Sequence, residues 1–246
     1  MSLLGCLGIA RRDVVSVAGA GGKTTLVYRL ADEARQAGWR VLVTTTTHMG
    51  WLPETVTGPV FVEAEGDPGE GLAAALRDEG RATLLGRRVR EDKLEGVRPE
   101  RVDALASCAD LLLVEADGAR GRSLKVPAPH EPVVPRSTTL MIVVVALDVL
   151  GEALSEERIH RLELAAAVSG TALGEAVDED TVVTCLRHTS GYPSRLPHGA
   201  RSAVFLNKVE DQDGRAAAAR IARRLVPPYT LVAGGSARGP ARRLWP

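Results

Sequence analysis

The residues at positions 19–25 combine glycines, one lysine and two hydroxyls in an order that suits phosphate chemistry. A β-branched apolar run precedes them and residues with helical spacing follow, so the glycines form the turn between a strand and a helix. In such a turn the backbone N–H groups and the helix N-terminus attract phosphate. The lysine neutralises β- and γ-phosphate oxygens, and the first hydroxyl ligates Mg²⁺. The predicted nucleotide-binding loop is Gly19, Ala20, Gly21, Gly22, Lys23, Thr24 and Thr25.

This loop departs from the most common phosphate-loop pattern, G-x-x-x-x-G-K-[ST], because Val17 stands where that pattern has glycine. The shorter form G-x-x-G-K-T-T, which is present, resembles the loop of Mur-type ligases. The alternative interpretation is a glycine-rich strand-to-helix turn that carries a lysine by chance. The order of strand, loop, Lys-Thr and helix favours the phosphate site.

A second group of candidate residues follows a buried apolar strand predicted at 111–114. Glu115 and Asp117 come directly after it, where a carboxylate can hold Mg²⁺ or its water shell. Glu115 with Gly118 also matches a D-x-x-G switch with glutamate for aspartate, in which the glycine N–H would meet the γ-phosphate. The alternative is that the carboxylates only cap a turn. The predicted catalytic residues here are Lys23, Glu115 and Asp117, and the predicted metal ligands are Thr24, Glu115 and Asp117.

The stretch 117–139 is long, irregular and rich in proline, which excludes a helix. Loops of this length in compact domains are functional or disordered, and the interleaved apolar residues favour the first. His130 beside Glu131 could serve as an acid, a base or a ligand, and is a candidate catalytic residue. A packed or hydrogen-bonding histidine is an equal alternative. Threonines 44–47 at the end of the second predicted strand are further candidates.

Two motifs near the C-terminus could read a nucleotide base. Asn207, Lys208 and Glu210 resemble the N-K-x-D element of GTPases, in which the carboxylate accepts hydrogen bonds from guanine. Ser236 and Ala237 follow after one helix and one strand and resemble the S-A element, whose backbone N–H meets guanine O6. Because glutamate replaces aspartate, the sequence favours GTP over ATP only slightly. The alternative is that Asn207 caps a helix beginning near residue 213.

The composition limits the classes of partner. The chain has 246 residues with 31 basic and 31 acidic side chains, so its zero net charge suggests neither nucleic acid nor a membrane surface as the main partner. Three separated cysteines without a C-x-x-C favour a reducing cytosol, and we expect a cytoplasmic protein. Nearly all the basic residues are arginine, and only four are lysine: Lys23, Lys93, Lys125 and Lys208. A lysine in so arginine-rich a chain suggests a site that needs a compact point charge.

The elements that must position these residues alternate between strand and helix. Apolar runs at 14–18, 39–43, 111–114, 140–147 and 202–206 predict buried strands, the second of which runs into threonines 44–47. We expect helices at about 155–169 and 178–187 between the later strands. This order predicts an α/β fold, a P-loop NTPase-like three-layer sandwich with a mostly parallel β-sheet. The length suits one domain, and we expect residues 1–246 to form a single nucleotide-binding domain.

Several stretches together resemble the selenium-dependent hydroxylase accessory protein family, which is called YqeC-like. They span nearly the whole chain, and the combination of T-T-T-T, V-E-A-D-G-A and H-E-P is specific. His48 and Glu210 stand where the family often has lysine and aspartate. The matching stretches are Val17–Thr25, Val41–His48, Val114–Ala119, Lys125–Pro135, Ala146–Gly151 and Asn207–Glu210.

The resemblance implies a role in the maturation of selenium-dependent molybdenum hydroxylases, with the molybdenum cofactor or a molybdenum hydroxylase as partner. We therefore expect a protein that binds Mg²⁺ with GTP or ATP and acts as a nucleoside triphosphatase in that context. One alternative is a P-loop ligase or kinase that transfers the γ-phosphoryl group to a small acid. The other is a nucleotide- or cofactor-binding module that does not hydrolyse its ligand.

Overall fold

The computed structural model of the protein describes residues 2–91 and 93–245. In this part of the chain nine strands form the main sheet. They are β1 (Val14–Gly19), β2 (Val41–Thr45), β4 (Val60–Val62), β5 (Arg81–Leu85), β8 (Leu111–Glu115), β10 (Leu140–Ala146), β12 (Arg201–Asn207), β13 (Leu231–Gly235) and β14 (Ala241–Trp245).

Short strands form two smaller sheets: β3 (His48–Gly50), β7 (Lys93–Glu95) and β6 (Arg87–Arg90) form one, and β9 (Leu124–Lys125) pairs with β11 (Ile159–His160) in the other. The α-helices are α1 (Leu3–Leu7), α2 (Lys23–Gln36), α3 (Glu54–Thr57), α4 (Gly69–Asp78), α5 (Pro99–Leu105), α6 (Leu162–Ser169), α7 (Glu179–Arg187) and α8 (Gln212–Leu225). Single 3₁₀ turns lie at Glu63–Glu65, Leu147–Val149 and Tyr192–Arg195.

The main sheet has the strand order β14-β13-β12-β10-β1-β8-β2-β5-β4. Every neighbouring pair is parallel except β13 with β14, which is antiparallel at one edge. Strand β1 lies between β10 and β8, so the loop that follows it opens at the centre of the carboxyl edge. The register pairs Val17 with Ile142 on one side and with Glu115 on the other. The glycine loop and the acidic strand end are therefore neighbours.

Alternating residues of β10 show why the fold has three layers. Leu140, Ile142 and Val144 belong to the apolar cluster that contains the buried residues of α1 and α2. The residues between them, such as Met141 and Val143, belong to a second cluster with the buried residues of α7 and α8. Because successive side chains of a strand point to opposite faces, this all-apolar strand is covered on both. The predicted α/β sandwich with a mostly parallel sheet is confirmed.

One predicted helix is shorter in the structure. The pattern at 155–169 predicts a single helix, but α6 begins at Leu162. Residues before it form a turn and then β11, which pairs in parallel with β9 of the proline-rich stretch. Arg161, with a φ of 66°, stands at the boundary in the left-handed region, where a helix cannot continue. Pairing with a distant segment thus overrides the local helical spacing.

Within the described residues, no helix combines the length and the apolar character that a membrane span requires.

Candidate functional site

The loop between β1 and α2 presents free backbone donors. No side chain caps the N-terminus of α2, whose N-cap residue is Gly22. Gly21 and Gly22 have φ values of 80° and 123°, a region that strains residues with a Cβ atom. In the part of the chain that the structure describes, their N–H groups donate to no acceptor. A helix N-terminus with such uncapped donors attracts anions.

Close packing also requires glycine in this loop. A Cβ atom on Gly21 would lie 2.3 Å from the Cβ of Ala146, which ends β10. A Cβ atom on Gly22 would lie 2.3 Å from the Asn207 side-chain nitrogen. The ends of β10 and β12 therefore press against the loop and fix its shape.

Lys23 is buried and is held by acceptors rather than by solvent. Its Nζ donates a hydrogen bond of 2.8 Å to the Gly19 carbonyl oxygen. The same Nζ lies 3.3 Å from Asp117 Oδ1 and 3.8 Å from Glu115 Oε1. Asp117 Oδ1 accepts no hydrogen bond from the described residues, so it is paired by charge alone. The lysine and both carboxylates predicted from the sequence lie together at the glycine loop.

Thr24 and Glu115 form an oxygen-rich pair beside this lysine. The Thr24 hydroxyl donates a hydrogen bond of 2.8 Å to Glu115 Oε2. Burial raises the pKa of Glu115, and Asp117 adds to the rise, whereas Lys23 and the Thr24 hydroxyl oppose it. A hydroxyl and carboxylates are hard oxygen donors of the kind that Mg²⁺ takes.

A second buried lysine, Lys125, extends the charged group away from the loop. Its Nζ donates a 2.6 Å hydrogen bond to the Gly118 carbonyl oxygen. It also lies 3.2 Å from Asp117 Oδ2 and 3.0 Å from Glu131 Oε2. Asp117 Oδ2 in turn accepts a hydrogen bond of 3.1 Å from the Gly19 N–H. Asp117 thus joins two lysines and the end of β1, a role that sequence spacing did not reveal.

Glu131 completes this group at its outer end. Arg161 Nη2 lies 2.9 Å from Glu131 Oε2. Burial would raise the pKa of Glu131, but the charge and hydrogen bond of Lys125, together with Arg161, hold it below the usual value. His160, next to Arg161, has its pKa lowered to about 4 by burial and by the positive charges of Lys125 and Arg161. His160 is therefore neutral near pH 7.

The glycine loop, Glu115, Glu131, His160 and Arg161 line one cleft of about 910 Å³, whereas Asp117 and Lys125 are buried and do not line it. Besides Gly21–Thr25 and Glu115, its lining includes His48–Gly50 of β3, Lys93, residues 118–122 and residues 159–163. Part of the proline-rich stretch, residues 118–122 with Glu131, thus forms a wall of the cleft. His130 is exposed and does not line the cleft, whereas its neighbour Glu131 and the unpredicted His160 do.

The threonines after β2 have mostly structural partners. Thr44 Oγ1 donates to the Leu84 carbonyl at 2.7 Å, Thr45 Oγ1 donates to the Glu115 carbonyl at 2.8 Å, and Thr46 Oγ1 donates to the Val133 carbonyl at 2.7 Å. Thr47 lines the cleft. The first three tie β2 to its surroundings, which leaves Thr47 as the threonine of this group that lines the cleft.

The motifs predicted to read a base lie at the ends of β12 and β13. Asn207 is buried, donates to the Gly21 carbonyl at 2.7 Å and accepts from the Ala237 N–H at 2.8 Å. Lys208 Nζ donates to Asp148 Oδ2 at 2.6 Å. Lys208 and Glu210 line a cavity of about 890 Å³, whereas Ala237 lines a different one of about 370 Å³. Asn207 therefore joins the two motifs to the loop, but Glu210 and Ala237 do not share a cavity.

The alternative interpretation of Asn207 is that it caps the helix that begins near residue 213. Asp211, not Asn207, caps α8, because its Oδ1 accepts a 2.6 Å hydrogen bond from the Gly214 N–H. Ser236 accepts a 3.2 Å hydrogen bond from the Arg238 N–H through its hydroxyl. Asp211 is thus engaged in the fold, whereas Glu210 is an exposed carboxylate that does not cap the helix.

Among residues 2–91 and 93–245, no group of three or more His, Cys, Asp or Glu side chains is placed to hold a metal ion. A site built from one hydroxyl and two carboxylates instead suits Mg²⁺, which is usually bound by few protein ligands together with phosphate oxygens and water.

The charge of Glu131 makes a testable contribution to stability. Its folded-state pKa is lowered, so the stabilisation is complete above the unfolded-state pKa and is lost as the pH falls through the folded-state value. We expect Glu131→Gln to lower the free energy of unfolding at pH 7, and the difference from the parent protein to shrink toward pH 3. Urea unfolding of both proteins at pH 7 and at pH 3 measures the free energies of unfolding.

Glu163→Gln is the matched control, because Glu163 is exposed and lines the same cleft. It should stay within about 0.5 kcal/mol of the parent at each pH. A difference for Glu131→Gln that is constant with pH would contradict the charge assignment.

Comparisons with known proteins identify the family of the chain. The model of the family described as YqeC protein matches residues 15–163. The protein of Escherichia coli (strain K12) described as "Uncharacterized protein YqeC" is 36% identical over 205 residues, which cover 82% of this chain and 78% of that protein.

Solved structures are more distant. Chloroplast FtsY from Physcomitrella patens aligns with a TM-score of 0.46 and 15% identity over 96% of this chain. The alignment covers 63% of the FtsY chain, so the present chain spans less than two thirds of the length of FtsY. The hydrogenase maturation factor HypB from Archaeoglobus fulgidus aligns with a TM-score of 0.39 and 14% identity over 92% of this chain and 83% of that chain. On the family match and the sequence identity, the chain belongs to the YqeC family.

Proposed function

We propose that this protein is a Mg²⁺-dependent nucleoside triphosphatase. The observation that carries the proposal is the buried lysine at an uncapped helix N-terminus, with Lys23 Nζ held 3.3 Å from Asp117 and 3.8 Å from Glu115. In this position the lysine contacts two carboxylates, and it can exchange these acceptors for the oxygens of a bound phosphate. Phosphate oxygens at the loop are stronger acceptors for it, because they carry more charge and also contact the free N–H groups.

In this proposal each residue at the glycine loop has a role in holding the triphosphate or the Mg²⁺ ion. Lys23 leaves the Gly19 carbonyl oxygen and binds the β- and γ-phosphates, while Gly21 and Gly22 donate their N–H groups to the phosphates. Thr24, Glu115 and Asp117 are placed to hold Mg²⁺, which when bound neutralises charge that develops on the transferring phosphoryl group. The raised pKa of Glu115 reflects how costly its charge is without such a cation.

Hydrolysis also requires an attacking water. Glu115 and Thr47 line the cleft at the loop, and the Thr47 hydroxyl can orient a water molecule there. His160 lines the same cleft and is neutral near pH 7, so its ring can hydrogen-bond to that water, but a pKa of about 4 makes it too weak a base to take the proton. His130 is exposed, which favours His160 for this role.

For the base, we propose a slight preference for GTP over ATP. Asn207 links the phosphate loop to the Ala237 N–H, which supports a nucleotide that extends from the loop toward β12 and β13. Glu210 is the carboxylate available to accept from guanine N1–H and its amino group, since Asp211 caps α8.

The cellular role that we propose is an accessory factor in the maturation of selenium-dependent molybdenum hydroxylases. Membership of the YqeC family and the matching stretches support it. Transfer of the γ-phosphoryl group to a small acid is the second candidate, because the 910 Å³ cleft continues past the loop and has room for an acceptor.

Replacement of the loop lysine tests the phosphate site. Lys23→Ala should lower triphosphate affinity by at least about tenfold, because a charge-assisted contact to phosphate is lost. Calorimetric titration of a non-hydrolysed triphosphate analogue measures the affinity, and urea unfolding checks the fold. Arg223→Ala removes an exposed cation on α8 and is the control. Equal affinity of Lys23→Ala and the parent protein would refute the phosphate site.

Competition between nucleotides tests base recognition. GTP should displace a labelled triphosphate at a lower concentration than ATP, by less than about tenfold because the Glu210 carboxylate is exposed and exchanges water for the guanine donors. Glu210→Ala should remove that advantage. Asp211→Ala should instead lower the free energy of unfolding by about 0.5–2 kcal/mol as a lost helix cap, with the base preference unchanged. ATP binding as tight as GTP binding would exclude guanine specificity and leave the phosphate site intact.

A further inference from the structure

Three side-chain cations on the wall of the cleft have no internal partner. Lys93, Arg120 and Arg122 line it, and within the described residues none of them makes a hydrogen bond or an ion pair through its side chain. We call these three residues the cationic wall. By contrast, the other lining cations Lys23 and Arg161 are paired with carboxylates. The wall therefore carries charge that the fold does not use.

The turn that carries two of these cations is unusual for its sequence. Arg122 N–H donates a 3.0 Å hydrogen bond to the Ala119 carbonyl, which closes a four-residue turn. Both central residues, Arg120 and Gly121, have positive φ values, 49° and 77°. Such turns favour Gly, Asn or Asp at the first central position. An arginine held there in a left-handed conformation has no internal contact that compensates for it, which points to an external one.

The place of the cationic wall relative to the loop follows from the sheet. Arg120 and Arg122 come after β8, and Lys93 lies in β7, which pairs with β3 directly after β2. Strands β8 and β2 lie on one side of β1, whereas β12 and β13, with the proposed base-reading residues, lie on the other. The segment with Arg120 and Arg122 crosses from this side toward β10, because the carbonyl of the next residue, Ser123, accepts a hydrogen bond of 3.0 Å from the Ala146 N–H at the end of β10. The cationic wall therefore borders the glycine loop itself, and a triphosphate bound to the loop has its phosphates beside the wall.

Acidic side chains in the cleft come from a different segment. Glu156 and Glu163 line it from the 156–163 stretch, and Glu131 is already neutralised by Lys125 and Arg161. The unpaired positive charge is thus confined to β7 and the 119–122 turn. Two planar guanidinium groups with one ammonium suit a compact dianion, since arginine binds phosphate through paired N–H donors.

We propose that the cationic wall binds the phosphomonoester group of a second, small-molecule substrate, next to the phosphates of the nucleotide. This inference rests on the proposed nucleotide function and names the substrate class of that same cleft. The ligand is a dianion on a small body, because a cleft of about 910 Å³ must hold it together with part of the nucleotide.

The experiment separates the cationic wall from the loop. The protein is saturated with Mg²⁺ and a non-hydrolysed triphosphate analogue, so the loop is filled, and is titrated calorimetrically with glycerol 3-phosphate. Glycerol 3-phosphate should bind, and the double variant Arg120→Gln/Arg122→Gln should weaken that binding by about tenfold or more. Its affinity for the analogue should stay within about twofold of the parent. Arg223→Gln on α8 is the matched control and should change neither affinity.

Three results would overturn the inference: no binding of glycerol 3-phosphate, equal binding by the double variant, or acetate binding as tightly as the phosphomonoester. A loss of analogue affinity in the double variant as large as the loss of ester affinity would also overturn it, since the arginines would then serve the γ-phosphate. Separate titrations of the parent protein with the analogue alone and with glycerol 3-phosphate alone distinguish the two proposals. Ester binding that persists when the parent protein binds no analogue would refute the nucleotide function and retain the cationic wall.

Discussion

The site depends on one interaction, the buried contact of Lys23 with Asp117 and Glu115. Lys23 Nζ lies 3.3 Å from Asp117 Oδ1 at a point where the lysine is 5% exposed and Asp117 is 1% exposed. Removing one partner of a buried ion pair leaves an uncompensated charge and costs about 3–5 kcal/mol. If Lys23 turns to a phosphate, Asp117 keeps its contact with Lys125, but Glu115 needs another cation. In the proposed function this constraint couples nucleotide and Mg²⁺ binding, because the ion would replace the positive charge that Lys23 takes from Glu115 to the phosphate.

Close packing around the glycine loop keeps this pair in position. Asp117 accepts from the Gly19 N–H and contacts Lys125, so it cannot follow Lys23 outward without losing both. On the other side, Asn207 holds the Gly21 carbonyl, and a Cβ atom on Gly21 would overlap Ala146. The loop is thus fixed between the ends of β8, β10 and β12, which leaves the Lys23 side chain as the part that can exchange partners.

Sequence reasoning reached the parts of this arrangement that are local. The glycines, Lys23 and Thr24 lie within one strand-to-helix turn, and Glu115 ends a strand that its apolar run predicts, so order along the chain was enough. The scarcity of lysine pointed to Lys125, but its contacts with Asp117 and Glu131 join residues that pattern alone cannot bring together. The helix predicted from 155 was wrong in its first part because β11 pairs with β9, and the same pairing brings His160 to the cleft.

The most direct test of the coupled exchange is the effect of Mg²⁺ on triphosphate affinity in the parent protein and in Asp117→Asn. Both are titrated with a non-hydrolysed triphosphate analogue, with Mg²⁺ and with a chelator. We expect Mg²⁺ to raise the affinity of the parent protein by about tenfold or more, and Asp117→Asn to lose most of this gain while its metal-free affinity changes less, since the lost charge faces the ion. An equal gain from Mg²⁺ in both proteins, or an equal loss of affinity with and without it, would contradict the account.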